Sequence, residues 1–255
     1  MGAPAGPPLR TGVLAALVLA SVAAAPSAPP PQAEATVSPP APAARPAVPP
    51  PLRLGPGYYR AVVFDGRAFP VARSTYLSLL EFGNNWHAPR MRLVGGRWLL
   101  VGRHEGIDIT AEAGAPVLSM TGGVVEATGW TFYSGLRVGV RGQDGKYYLY
   151  AHLRSLAPGV VPGATVRAGD VLGSVGNTGY GQPGHRDEFP PHLHFGIQGP
   201  GGWENPYPLL ARLYRATVRV QRAAEARLAA LARSGHRAAW RRLAASLTLG
   251  AEEGA

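Results

Sequence analysis

The 255-residue sequence contains no cysteine. This absence excludes disulfide bonds, cysteine-ligated metal sites and a nucleophilic thiol, so any metal site must be built from His, Asp and Glu. Lysine is almost absent as well, because Lys146 is the only one, and the formal net charge of +10 therefore comes from arginine. A surplus of positive charge favours anionic partners such as wall polymers, lipid head groups or nucleic acid.

The N-terminal apolar segment is too short for a comfortable membrane span. Gly12–Ala25 follows Arg10 and is shorter than the about 20 apolar residues that a spanning helix needs. We therefore predict that residues 1–25 are an export signal peptide, with a short membrane anchor as the alternative. Residues 26–51 hold 11 of the 26 prolines, which predicts a semi-rigid Pro-rich linker over residues 26–52. The protein is expected to be exported and periplasmic, envelope-associated or extracellular.

Residues 53–205 have the pattern of a mainly β fold. Short runs rich in β-branched and aromatic residues alternate with glycine-bearing turns, and Asp144-Gly145 is a strong hairpin signal. The predicted strands are Tyr58–Phe64, Val117–Met120, Gly123–Ala127, Leu136–Arg141, Lys146–Leu153 and Val171–Val175. This pattern predicts a compact antiparallel β domain.

Residues 206–255 change to a helical period. One apolar stripe is spaced by three and four residues, while most arginines fall off that stripe. The stripe consists of Leu213, Thr217, Val220, Ala224, Leu228 and Leu231. A break at Ser234-Gly235 and a second helix over His236–Leu247 are also predicted. This basic amphipathic tail is expected to pack on the β domain, with its arginines towards an anionic wall polymer or a membrane surface.

Three segments contain histidines in settings that suggest chemistry. His104 and Asp108 are four residues apart and share a face in either a helix or a strand, although this spacing alone is weak. His192 and His194 would project from one face of a strand, with two apolar residues on the other face, which suits a metal or catalytic surface. His152 lies near the end of an aromatic strand, where the alternation of side chains would place it on the same face as Tyr148 and Tyr150.

These segments together resemble the LytM/lysostaphin-type zinc endopeptidases, peptidase family M23. The resemblance covers about residues 80–200 and rests on motifs that occur in the order seen in that family. They are His104-Glu-Gly-Ile-Asp108, Ala115-Pro-Val117, Gly122-Gly-Val-Val125, Tyr150-Ala-His-Leu153, Gly169-Asp-Val-Leu-Gly173, Gly176-Asn-Thr-Gly179 and Pro191-His-Leu-His-Phe195.

The resemblance implies a site and an activity. His104, Asp108 and His194 would bind one zinc ion per chain, and His152 and His192 would be the unliganded catalytic pair. Three such ligands leave a fourth position for water, which zinc activates for attack on a peptide bond. The implied substrates are the stem or cross-bridge peptides of peptidoglycan, and the implied fold is an antiparallel β domain with a C-terminal helical extension.

Two segments depart from the usual pattern. The loop 180–191 is longer than expected and contains His185, and it either shapes substrate choice or is merely surface. Asn84-Asn85 precedes the first ligand. An upstream Asn fills the fourth zinc position in some latent family members, but an ordinary turn explains the pair equally well.

One other function remains as an alternative. A non-catalytic wall-binding scaffold, or an activator of another hydrolase, would have the same fold, although such relatives usually lack some of the five site residues. Nucleic-acid binding is not expected, because the sequence has no helix-turn-helix, zinc-finger or aromatic-basic sheet motif.

Overall fold

The computed structural model describes residues 52, 54, 56–76 and 79–250. The predicted signal peptide and nearly all of the predicted linker lie outside the described residues. The described strands are β1 (Val63–Phe64), β2 (Arg67–Ala68), β3 (Glu81–Phe82), β4 (Pro89–Val94), β5 (Arg97–Arg103), β6 (Ile107–Thr110), β7 (Pro116–Leu118), β8 (Gly123–Thr131), β9 (Gly135–Gly142), β10 (Tyr147–Leu156), β11 (Thr165–Val166), β12 (Val171–Val175), β13 (His192–Gly199) and β14 (Gly202–Glu204). Two helices follow, α1 (Tyr207–Arg233) and α2 (Arg237–Leu247).

The main sheet is antiparallel and has ten strands. Seven of them lie in the order β11-β8-β9-β10-β13-β6-β3, while β12 pairs with β10 and β7, and β14 pairs with β13. This confirms the predicted mainly β fold. Asp144-Gly145 forms the hairpin between β9 and β10, with Gly145 at φ 78°, a conformation that glycine adopts without steric cost.

The centre of the sheet is buried on both faces. Tyr148, Tyr150 and Phe195 belong to the main core, whereas Leu149 and Ala151 pack in a smaller cluster on the other face with Trp203. Strands β10 and β13 are therefore held rigidly, and β13 also pairs with β6. These two strands, with the residues that precede β6, position the site.

The C-terminal helical extension is confirmed, and α1 is part of the main core. Leu210 and Leu213 are fully buried in that core, and the predicted break occurs at Ser234, where α1 ends. The predicted stripe was wrong at Val220, which is 49% exposed, because Gln221 is buried instead and accepts a hydrogen bond from Arg73. The arginines predicted to lie off the stripe are exposed, namely Arg212, Arg215, Arg219, Arg222 and Arg233.

Two parts of the β prediction need correction. The strand predicted over Tyr58–Phe64 is reduced to β1 at its end, while Tyr58 and Tyr59 form only isolated bridges. The hairpin of β4 and β5 was not predicted, and it forms a two-stranded sheet of its own. Within the described part of the chain, no helix combines the length and the apolar character needed to cross a membrane.

Candidate metal centre

Three side chains bring one ligand atom each to a single point. Asp108 lies on β6, directly opposite His194 on β13, and His104 lies just before β6. His104 Nε2 is 3.0 Å from Asp108 Oδ1 and 2.9 Å from His194 Nδ1, and His194 Nδ1 is 3.0 Å from the same oxygen. The antiparallel register therefore assembles the predicted ligand set from residues about 90 positions apart in sequence.

The orientation of His104 is fixed by a hydrogen bond to its second ring nitrogen. Its Nδ1 lies 2.9 Å from the backbone carbonyl oxygen of Asn85. Since a carbonyl oxygen can only accept, Nδ1 carries the proton and Nε2 presents its lone pair in the neutral ring. His104 is 2% exposed, so packing restricts its ring as well.

Asp108 uses its two oxygens differently. Oδ1 faces the histidines, while Oδ2 accepts from Arg90 Nη2 at 3.2 Å and from Asn85 Nδ2 at 3.4 Å. Burial alone would raise the pKa of Asp108, but the interactions with the imidazoles of His104 and His194 outweigh burial and hold this pKa well below its usual range. The carboxylate is therefore ionised and has one oxygen available to a cation.

The three ligand atoms fit a divalent cation. Tetrahedral ligands at about 2.0–2.1 Å from zinc lie about 3.3 Å from one another, close to the 2.9–3.0 Å seen here. The lone pair of His104 Nε2 also faces the Asp108 carboxylate, which is repulsive unless a cation or a proton lies between them. Among the described residues, this trio forms the one group of three or more His, Cys, Asp or Glu residues with such converging atoms.

His152 and His192 lie beside this trio. The ring centroid of His152 is 4.9 Å from that of His192 and 5.9 Å from that of His194. His152 Nδ1 donates to the Thr178 carbonyl oxygen at 2.7 Å, and His192 Nδ1 donates to that of Pro190 at 2.9 Å. Both rings therefore keep Nε2 free of the backbone, and His192 Nε2 is 3.7 Å from Asp108 Oδ1.

The electrostatic environment keeps His152 neutral. Burial, followed by the charges of His192 and His194, lowers the pKa of His152 to about 3. Burial also lowers the pKa of His194, although Asp108 opposes that shift. His152 is thus an unprotonated base at neutral pH, in a form that can accept a proton at Nε2.

The prediction that His152 shares a strand face with Tyr148 and Tyr150 was wrong. Tyr148 and Tyr150 point into the core, but His152 has a φ of 64° and lies where the pairing of β10 with β9 shifts register. A bulge of this kind re-aims a side chain, and here it turns His152 to the face of His192 and His194. The alternation of side chains between the two faces of β10 is therefore broken at His152, the residue of β10 that lies in the site.

The loop 180–191 forms one wall of the site. Phe189 packs against His152 and His192 with ring centroids 4.8 and 4.9 Å away, and Tyr180 lies 5.6 Å from Phe189. His185 does not join the trio, because its Nδ1 donates to the carbonyl oxygen of Gly179 at 2.8 Å. The loop therefore lines the site with aromatic surface.

The sequence pattern does not show the supporting roles of Asn85 and Arg90. Asn85 was considered as a residue that fills the fourth metal position, but its Oδ1 accepts from the backbone N–H of Asp108 at 3.3 Å. Arg90 was not singled out at all. Neither residue lies in the ligand motifs, and only the pairing of distant segments brings them to Asp108.

Part of the chain is similar in sequence to known peptidases. Residues 102–206 match the sequence model of peptidase family M23. The L-Ala--D-Glu endopeptidase of Bacillus subtilis (strain 168) is 46% identical over 156 residues, which are 60% of this chain and 45% of that protein. The glycyl-glycine endopeptidase ALE-1 of Staphylococcus capitis is 35% identical over 96 residues, which are 37% of this chain and 24% of that protein.

A solved structure from Ruminococcus gnavus, of a LytM protein, is 35% identical and has a TM-score of 0.46 over 58% of this chain and 60% of that one. The chain spans less than half of the length of either curated relative. The family match contains all five of the histidine and aspartate residues that meet at the site. Residues 102–206 therefore match peptidase family M23, and this match covers less than half of the chain.

Proposed function

We propose that this protein is a zinc metalloendopeptidase that hydrolyses peptide bonds of bacterial peptidoglycan. The proposal rests on the arrangement of the site, which has three converging ligand atoms and a separate pair of histidines. Three ligand atoms lie within 3.0 Å of one another, and two further histidines beside them keep Nε2 free of backbone partners. A purely structural metal site would use a closed set of four ligands and would not need the second pair.

Zinc is the metal we expect, at one ion per chain. His104, His194 and Asp108 supply two nitrogens and one oxygen, the three-ligand set typical of catalytic zinc sites. When bound, zinc would supply a Lewis acid for the scissile carbonyl and lower the pKa of a water molecule. Asn85 and Arg90 would orient the ligands from behind, as outer partners commonly do in metal sites.

The two remaining histidines would handle the proton. His152 is neutral because its pKa is about 3, so its Nε2 can accept a proton from the attacking nucleophile. Its bond to Thr178 fixes which nitrogen does so. His152, once protonated at Nε2, can return that proton to the leaving amine. His192 is held in the same way by Pro190 and presents a second Nε2 beside His152.

For the substrate, we propose a short wall peptide with an L-Ala–D-Glu link as the first candidate. The curated relative with that printed activity matches 156 residues at 46% identity, whereas the glycyl-glycine endopeptidase matches 96 residues at 35%. The aromatic side chains of Tyr180 and Phe189 would border the bound peptide and contribute to substrate choice.

An exported protein would meet this substrate. We propose that residues 1–25 direct export, and that the exposed arginines of α1 and α2 bind an anionic wall polymer or lipid. Between Asn205 and Gly250 the only acidic residue is Glu225, which accepts a hydrogen bond from Tyr59.

The test is digestion of purified peptidoglycan by the zinc-loaded chain, with mass spectrometry of the products. We expect EDTA-sensitive release of new amino termini, and no release by a His152→Ala variant that retains its metal. Zinc-loaded protein that binds the wall material but releases no products would contradict the proposal and favour the scaffold alternative.

A further inference from the structure

The hairpin of β4 and β5 stands away from the core. All residues in its two strands are exposed except Arg90, which is half-buried, and the hairpin pairs with no other described strand. A turn at Gly95-Gly96, with φ of 57° and 76°, connects the strands. A protein rarely leaves such an element uncovered when it is rich in large apolar side chains.

One face of the hairpin is entirely apolar. Leu93 lies opposite Trp98, and Met91 lies opposite Leu100, so that the four side chains share a face. They are 55%, 66%, 48% and 55% exposed, respectively. Together they leave roughly 400–500 Å² of apolar surface in water, the size of a functional patch.

The other face is mixed and basic. It carries Arg92 and Arg97 between Val94, Leu99 and Val101. The sequence from 89 to 103 contains four arginines and no acidic residue. Among the described residues, the side chains of Arg92 and Arg97 have no hydrogen-bond or ion-pair partner, so their charges are available to an anionic surface.

We propose that this hairpin binds the surface of a lipid bilayer that contains anionic head groups. Elements that lie in a membrane interface combine an apolar face bearing Trp and Leu with a polar face rich in Lys or Arg. The hairpin has both features, and its arginines can extend past the apolar edge to reach phosphates. A second copy fits less well, because the apolar patch is about half of the roughly 800 Å² per partner that a standard interface buries.

Docking by the hairpin would place the metal centre near the membrane. At the base of the hairpin, Arg90 contacts Asp108 and Arg103 donates to the carbonyl oxygen of His87. His104 follows directly after β5. The inference does not depend on the proposed hydrolysis, because membrane binding and the cleavage of a soluble peptide can be measured separately.

The absence of cysteine makes a local test direct. Leu93→Cys and Val94→Cys place one thiol each on neighbouring residues of opposite faces, at 55% and 48% exposure. Each full-length variant is labelled with an environment-sensitive fluorophore. It is then mixed with phosphatidylcholine vesicles, with or without phosphatidylglycerol, and with vesicles carrying a spin-labelled quenching lipid.

We expect a blue shift and quenching at position 93 that are at least about threefold larger than at position 94. Removing both charges in Arg92→Gln/Arg97→Gln should weaken the response to phosphatidylglycerol vesicles by about 30-fold, or about fivefold per arginine. The local label reports the hairpin even if another segment holds the chain on the vesicle.

Four results would overturn the proposal. They are no binding to vesicles, binding with no response at position 93, equal responses at the two positions, and a response that depends on protein concentration or wall fragments rather than on lipid. A concentration-dependent response would assign the face to a second copy, and a response to wall fragments would assign it to the polymer. Hydrolysis of a soluble wall peptide, measured on the same samples, reports separately on the proposed function.

Discussion

Gly106 lies against the imidazole of His194, and this contact leads to a quantitative prediction. A Cβ added at Gly106 would lie 2.6 Å from Cε1 and 2.7 Å from Nε2 of His194, and 2.7 Å from the carbonyl oxygen of Phe195. Ordinary van der Waals contact begins at 3.4 Å. The ring, the strand or both would therefore have to move by about 0.8 Å.

A movement of this size matters more to a metal than to the fold. Ligand distances in a metal site tolerate about 0.2 Å, so a shift several times larger displaces His194 Nδ1 from its position. We expect Gly106→Ala to raise the dissociation constant for zinc by about 10–100-fold, the usual cost of disturbing a ligand's support. Overpacking should also lower the free energy of unfolding by about 1–3 kcal/mol.

The assay is a zinc titration against a chromophoric chelator, together with urea unfolding in EDTA. Gly102→Ala is the matched control, because it is four residues away and its added Cβ would meet nothing within 4 Å. The control should bind zinc as the parent does. If Gly106→Ala also bound zinc with parental affinity, His194 would not be held where we place it as a ligand.

Three further predictions follow from the same structure. Arg90→Ala should weaken zinc binding by about tenfold without changing the unfolding midpoint in EDTA, because it removes an outer partner of Asp108; unchanged affinity would contradict that role. Because the pKa of His152 is lowered from 6.5 to about 3, the unfolded chain binds the proton first and stability is lost as pH falls below 6.5. Urea unfolding in EDTA should therefore show that the parent loses about 2 kcal/mol more than His152→Gln between pH 7 and pH 5, and equal losses would contradict the low pKa. Leu213→Ala should destabilise the whole domain by about 2–5 kcal/mol in one cooperative transition, since Leu213 is 1% exposed in the main core; a separate early transition of the helices would contradict that packing.

The residues that converge at the site could be named from the sequence because short motifs, matched to a known family, contain them. His104 and Asp108 lie within five residues, and His192 and His194 alternate along one strand, so local geometry already brings each pair to one face. Asp144-Gly145 likewise predicted a hairpin, because this dipeptide favours the tight turn that connects two antiparallel strands. These features depend on neighbours in sequence, which is why residue patterns report them.

Other features depend on contacts that the sequence does not show. The bulge at His152 arises where β10 changes its register with β9, and parity along β10 gave the wrong face. Gln221 replaces Val220 in the buried stripe because Arg73 offers it a hydrogen bond from 148 residues away. Arg90 and Asp108 are 18 residues apart in sequence, and their contact depends on how the hairpin of β4 and β5 returns the chain towards β6.

The hairpin itself carried a readable signal that was missed. Alternating residues from Arg90 to Leu93 precede Gly95-Gly96, and a glycine pair between such runs is a hairpin signal. Nothing in that pattern shows that the apolar face stays exposed. Burial depends on what the rest of the fold offers, and in this fold the core is complete without the hairpin.

The assignment of roles within the site is the central claim, and one measurement tests it most directly. Zinc content and the rate of hydrolysis of a defined wall peptide are determined for alanine variants of the five site residues. We predict that variants at His104, Asp108 and His194 lose zinc, while those at His152 and His192 keep about one zinc per chain and lose at least about 100-fold in rate. Retained hydrolysis in Asp108→Ala, or loss of zinc in His152→Ala, would contradict the account.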